Sequence, residues 1–217
     1  MTTYKIFKEL GLRQDLLTYI QKKGFKNPTE VQQLAIPKLL EDDKDLIVQA
    51  QTGTGKTAAF GLPIVQLIDQ SKNHVQAIVL APTRELAIQV KDEIDSLCIG
   101  SDIRTVTIYG GQAIETQFKA LKKGPQIIVG TPGRVIDHLK RKTLNLQKVT
   151  HLILDEADEM LNMGFKKDID TILHKTPKNK QILLFSATMP KEVLKISKNY
   201  MINPHIIEIA KRNEGAK

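Results

Sequence analysis

Residues 50–57 read Ala50-Gln51-Thr52-Gly53-Thr54-Gly55-Lys56-Thr57. A glycine, four residues, then Gly-Lys-Ser/Thr is the spacing of a loop that wraps phosphate. Ala50 stands where the first glycine is usual; Gly55, Lys56 and Thr57 match. The chemistry survives that change. Gly53 and Gly55 give access to backbone conformations that turn amides toward one point. A helix starting near Gly55 adds partial positive charge at its first turn. Lys56 supplies a full charge for β and γ phosphates, and the Thr57 hydroxyl can ligate Mg²⁺. A second cluster is Asp155-Glu156-Ala157-Asp158, directly after the apolar run Leu152-Ile153-Leu154. Asp155 is placed to hold the Mg²⁺ through its waters, and Glu156 to orient and deprotonate an attacking water. Either cluster alone has a plain structural reading, as a glycine turn or an acidic helix start. Together, and in this order, they make two halves of one magnesium–nucleotide site.

Such a site needs a scaffold, and the chain supplies its rhythm. Short apolar runs recur at 45–48, 77–80, 105–108, 127–129, 152–154, 182–185 and 206–207. They are β-branched and mostly continuous, as strands are when both sheet faces are covered. Amphipathic helical patterns lie between them. Leu86, Val90, Ile94 and Leu97 form one stripe; Val135, Ile136 and Leu139 a second; Val193 and Ile196, after Pro190, a third. Two more precede the first strand, around Leu16-Leu17-Ile20 and Val31-Ala35-Leu39, joined through Gly24-Phe25-Lys26-Asn27-Pro28. Alternating strands and helices predict an α/β domain. The expected form is a doubly wound, mostly parallel sheet of about seven strands with helices on both faces. Ligands in such sheets bind at the carboxyl ends of the strands.

At 217 residues the chain is long enough to bury a core without staples. Its single cysteine, Cys98, rules out an internal disulfide and points to a reducing, cytoplasmic setting. No apolar run is long enough to cross a membrane, and none is expected to. Basic residues exceed acidic ones by +8, which suits a polyanionic partner. Aromatic residues are only 5% with no tryptophan, so contact through phosphates is expected over stacking on an aromatic platform. The five histidines show no metal-ligand spacing.

Asp155 to Asp158 spells the signature of the DEAD-box ATP-dependent RNA helicases, and the chain resembles their first, RecA-like lobe from about Phe7 to the last strand. Phe7 and Gly24 to Gln32 are similar to that family's adenine-recognition segment. Residues Ala50 to Thr57 match its phosphate loop, alanine included. Pro82-Thr83-Arg84-Glu85-Leu86-Ala87, Gly110-Gly111 and Thr131-Pro132-Gly133-Arg134 resemble its RNA-contacting motifs, and Ser186-Ala187-Thr188 its coupling motif. The resemblance implies ATP and Mg²⁺ as cofactors. It implies nucleotide contacts at Phe25, Gln32, Gln51, Thr52, Gly53, Thr54, Gly55, Lys56 and Thr57, with Thr57 and Asp155 toward the metal and Lys56, Asp155 and Glu156 catalytic. The Gln32 amide offers the adenine edge both a donor and an acceptor. Pro82, Thr83, Arg84, Gly110, Gly111, Thr131, Pro132, Gly133 and Arg134 are implied contacts to the RNA backbone, with little sequence preference. Hydroxyls of Ser186 and Thr188 are expected to bond Asp158 and couple the two ligands.

In that family a second RecA-like lobe closes on ATP and RNA and carries a motif resembling His-Arg-x-Gly-Arg-x-x-Arg. No such string occurs here. The expected organisation is an N-terminal lobe over residues 1–209, with an adenine-recognition extension at 1–43, a linker starting at 210–217 and the C-terminal lobe absent. A monomer that binds nucleotide and hydrolyses it poorly is expected. The alternatives are a non-catalytic RNA- or partner-binding module with ATP as a ligand, and a different P-loop enzyme that translocates on DNA.

Overall fold

The computed structural model describes residues 6–210. The expected linker, apart from its first residue, therefore lies outside the described residues. After a short 3₁₀ turn at Phe7–Leu10 come α1 (Gln14–Lys22), α2 (Glu30–Glu41), β1 (Leu46–Gln49), α3 (Lys56–Leu67), β2 (Ala77–Leu80) and α4 (Arg84–Leu97). Then follow β3 (Thr105–Ile108), α5 (Ile114–Lys122), β4 (Ile127–Gly130), α6 (Pro132–Lys140) and β5 (His151–Leu154). The chain continues through α7 (Ala157–Asn162), α8 (Lys166–Lys175), β6 (Gln181–Ser186), α9 (Lys191–Tyr200) and β7 (His205–Glu208).

Seven strands form one sheet in the order β3-β4-β2-β5-β6-β1-β7. Every neighbouring pair is parallel. The continuous apolar runs are explained by burial on both faces. Leu46, Val48, Ala77, Val79, Ile127, Val129, Leu183 and Phe185 face the core beneath α1 to α4. Their alternates Ile47, Ile78, Leu80, Ile128, Leu152, Leu154, Ile182 and Leu184 face the core beneath α6 to α9. Side chains alternate across the sheet, so a strand covered twice must be apolar at every position.

The parallel arrangement sends all seven carboxyl ends to one edge. The order along that edge is what matters for function. β5, β6 and β1 lie side by side and are followed by the Asp155 cluster, Ser186-Ala187-Thr188 and the phosphate loop. β3, β4 and β2 lie side by side and are followed by Gly110-Gly111, Thr131 to Arg134 and Pro82 to Arg84. One edge thus carries two adjoining chemical halves.

Candidate nucleotide site and backbone-binding edge

The phosphate loop is set by its glycines. Gly53 has φ +77° and Gly55 φ +81°, the left-handed region. Ala50 is buried at the end of β1 and is not among the residues with positive φ, so no glycine is required there. Its N–H donates to the Ser186 carbonyl at 3.1 Å, which pins the loop to the end of β6. Gly55 caps α3, and Lys56 is the first residue of the helix.

Lys56 Nζ lies 3.9 Å from Asp155 Oδ1, their side chains only 9% and 10% exposed. Asp155 Oδ1 is buried and accepts no hydrogen bond. Burial raises the Asp155 carboxyl to about 6; Lys56 pulls it down, and the charge of Glu156 pushes it further up. A buried carboxylate oxygen with no partner is costly unless a ligand completes it. Glu156 caps α7 with φ +54° and ψ +52°, an unusual conformation for a residue with a side chain.

Asp158 is the best-satisfied acid of the cluster. Its Oδ2 accepts from the Thr188 N–H at 3.1 Å and the Thr188 hydroxyl at 2.9 Å, and its Oδ1 from the Glu159 N–H at 3.1 Å. Burial raises this carboxyl, but the hydrogen bonds from Thr188 and from the Glu159 N–H hold it below the ordinary carboxylate range. The Ser186 hydroxyl accepts from the Asp158 N–H at 3.2 Å and donates to the Thr188 carbonyl at 2.7 Å. Ser186 therefore meets the Asp158 backbone, and Thr188 meets its carboxylate.

A cavity of about 200 Å³ opens among Thr52, Lys56, Thr83, Glu156, Asp158 and Glu159. Lys56 is the one cation among its described lining residues, against three carboxylates. Such a cavity takes a triphosphate only together with added positive charge. The residues present fit a magnesium-bound nucleotide: two left-handed glycines at a helix start, a buried lysine, and a buried carboxylate oxygen without a partner.

Gln32 is buried at 1% exposure on α2. It shares a capping box with Thr29: the Gln32 N–H donates to Thr29 Oγ1 at 3.4 Å, and the Thr29 N–H to Gln32 Oε1 at 2.9 Å. Gln32 Nε2 donates to the Gly55 carbonyl at 3.2 Å. One donor and one acceptor position of its amide remain for a ligand. Phe25 is half-buried and meets the buried Phe7 ring edge-on at 6.2 Å between centroids.

On the other half of the edge, Thr83 caps α4 by accepting from the Leu86 N–H at 3.2 Å. Arg84 lies over the Tyr109 ring at 4.8 Å. Gly111 has φ +88°, and a side chain built on Gly110 or Gly133 would meet nothing within 4 Å, so that backbone is open to approach. Thr131 caps α6 without a side-chain capping bond, and Pro132 sits in the first turn of that helix. Arg134 is largely buried: its Nη1 donates to the Gln112 carbonyl at 3.0 Å and to Gln117 Oε1 at 3.3 Å.

With this geometry in place, comparison with known proteins decides the family. The model of the DEAD/DEAH box helicases matches residues 29–196. The chain belongs to the DEAD/DEAH box helicase family. The DEAD-box chain is 53% identical over 203 residues to the ATP-dependent RNA helicase CshA of Listeria monocytogenes, covering 94% of this chain and 39% of that protein. It is 53% identical to a probable ATP-dependent RNA helicase of Methanocaldococcus jannaschii, covering 91% of this chain and 53% of the relative. Among solved structures, a DEAD box protein from the hyperthermophile Methanococcus jannaschii superposes with a TM-score of 0.92 at 51% identity, over 95% of this chain and 56% of that one. A hypothetical ATP-dependent RNA helicase from Sulfolobus tokodaii gives 0.84 at 38% identity, over 91% and 57%. The chain thus spans about half the length of these relatives or less.

The structure of this DEAD-box chain also brings to the candidate site residues that motif spacing did not reveal. Glu159 and Met163 line the cavity one and two turns beyond Asp155, a helical spacing that could have flagged them. Glu93 on α4 borders the site: burial raises its carboxyl, partly offset by a hydrogen bond from the Thr57 hydroxyl and the charge of Lys23. Tyr109, under Arg84, immediately precedes Gly110. No short-range signal marks Glu93.

Proposed function

We propose that this chain is the N-terminal, nucleotide-binding lobe of an ATP-dependent RNA helicase. The Lys56–Asp155 pair carries this reading, with the buried Asp155 Oδ1 lacking a partner beside the glycine loop. ATP lies with its phosphates against the amides of residues 52–57, and Lys56 places its charge on them. Thr57 and Asp155 hold Mg²⁺, which when bound supplies charge neutralisation to the phosphates. Glu156, at the cavity wall, orients the attacking water and takes its proton. Gln32 and Phe25 engage adenine, and the Gly55 carbonyl bond ties base recognition to the phosphate loop. RNA runs along the β3-β4-β2 half of the edge, held by Thr83, Arg84, Gly111, Thr131, Gly133 and Arg134 through sugar and phosphate.

The proposal extends to the whole protein. A second RecA-like lobe, outside this chain, supplies the arginines that the cavity lacks, so hydrolysis and duplex opening need both lobes. The lobe by itself acts as a monomer. A reducing, cytoplasmic location is part of the same reading. Cys98 is buried, and burial with the charge of Asp95 pushes its thiol up to about 12, so it is not a nucleophile.

Nucleotide titration tests the site. Mg-ATP should bind more tightly than Mg-GTP, Lys56→Ala should weaken both, and Gln32→Ala should erase the preference. Equal affinity for ATP and GTP in the unmodified chain would refute the adenine assignment.

A further inference from the structure

A buried polar bracket stands behind the Gly110-Gly111 loop, and its centre is a residue no motif contains. Gln117 on α5 is 1% exposed and is the only fully buried residue of that helix. A helix docked by one buried residue would ordinarily use an apolar one, because a buried amide must be completely satisfied. Gln117 is completely satisfied. Its Nε2 donates to the Tyr109 carbonyl at 2.9 Å and to Gln112 Oε1 at 3.0 Å. Its Oε1 accepts from Arg134 Nη1 at 3.3 Å and from His138 Nε2 at 2.8 Å. These four bonds fill the four positions of a carboxamide.

The bond to Oε1 also fixes the imidazole. Gln117 Oε1 only accepts, so His138 Nε2 carries the proton, and Nδ1 accepts from the Thr143 hydroxyl at 2.7 Å. His138 is fully buried, and burial followed by the charge of Arg134 lowers its pKa, which keeps the ring neutral. Arg134 closes the bracket by donating to the Gln112 carbonyl at 3.0 Å.

Tyr109 and Gln112 are the residues on either side of Gly110-Gly111. The glycines have no side chains to anchor them, and Gly111 needs its left-handed φ of +88°. Gln117 therefore grips both ends of a loop that cannot grip itself, and joins it to the Arg134 loop. We infer that Gln117, oriented by His138, is a positioning residue for RNA binding: it fixes the main chain of Gly110-Gly111 and the guanidinium of Arg134 in one arrangement for the sugar-phosphate backbone. This rests on the reading that these loops face RNA.

The test uses the 217-residue chain with Gln117→Met and Gln112→Ala. Methionine keeps length and volume while removing all four hydrogen bonds; Gln112→Ala removes one from a partly exposed loop. Binding of a fluorescently labelled single-stranded oligouridylate and of a fluorescent ATP analogue with Mg²⁺ is measured for each. Gln117→Met should bind the RNA about tenfold more weakly and Gln112→Ala about threefold more weakly. Nucleotide affinity should not change in either. If Gln117→Met fails to fold, Gln112→Ala carries the comparison. RNA affinity equal to the unmodified chain in the folded variants would overturn the inference while leaving the RNA reading intact. An unmodified chain that binds nucleotide and no RNA would remove that reading, and the inference with it.

Discussion

The Asp155 carboxyl is held near 6 because burial outweighs the attraction of Lys56 at 3.9 Å. Above that pH the free lobe keeps a buried charge that its surroundings do not complete. A raised carboxylate pKa means the folded chain binds more protons than the unfolded one between pH 3.8 and about 6, so this group costs stability as the pH rises through that window and the full penalty stands above it. The shift from 3.8 to about 6 corresponds to up to about 3 kcal/mol at neutral pH. Asp155→Asn should therefore raise the melting temperature of the free chain at pH 7, and should abolish the extra shift that Mg-ATP gives. Thermal unfolding with and without Mg-ATP checks both. A variant that melts below the unmodified chain without ligand would contradict the assignment of an unsatisfied charge. Residues of this kind were legible in the sequence because Lys56 opens a helix after the glycine loop and Asp155 directly follows a strand, each within a recognisable string. Gln117 and His138 were not, because a glutamine and a histidine 21 residues apart carry no local spacing signal and meet only through the tertiary fold.

Among the elements, α2 and α3 share one apolar core, and a single carbonyl ties the starts of the two helices together. Gln32 closes the capping box of α2 and bonds the Gly55 carbonyl at the head of α3. A side chain at Gly55 would come within 2.6 Å of Gln32 Nε2 and 2.8 Å of Thr29 Oγ1. The residue also holds φ +81°, which costs an alanine roughly 1–2 kcal/mol. Gly55→Ala should weaken Mg-ATP binding and lower stability together, whereas Gly53→Ala, with nothing within 4 Å, should keep more of the stability. Titration and melting of the two variants decide this, and equal stability loss in both would count against the Gln32 clasp. The strands were readable in advance because burial on both faces leaves apolar runs with no alternation. α5 and α8 were harder: the short apolar stripe of α5, Ile114, Phe118 and Leu121, is only half-buried and its one buried residue is the polar Gln117, and α8 starts shortly after α7 with no strand between them. The phosphate loop was readable despite Ala50, because only Gly53 and Gly55 take the left-handed region.

For the whole molecule, the sheet order is the functional plan. β5, β6 and β1 bring the proposed nucleotide residues to one half of the edge, and β3, β4 and β2 bring the loops proposed to meet the RNA backbone to the other. The two halves meet at the cavity, where Thr83 from the second half lines the same space as Lys56 and Glu156. The Asp158–Thr188 bonds extend the first half toward the segment after β6. With one lysine against three carboxylates among its described lining residues, the cavity on the proposed reading takes a triphosphate together with magnesium and is left short of positive charge for the transferring phosphoryl group. Phosphate release from Mg-ATP by this chain, with and without RNA and at several chain concentrations, tests that claim most directly. The account predicts bound nucleotide with turnover barely above background and no stimulation by RNA. RNA-stimulated turnover that rises linearly with chain concentration would contradict it, because the lobe would then supply the missing charge itself.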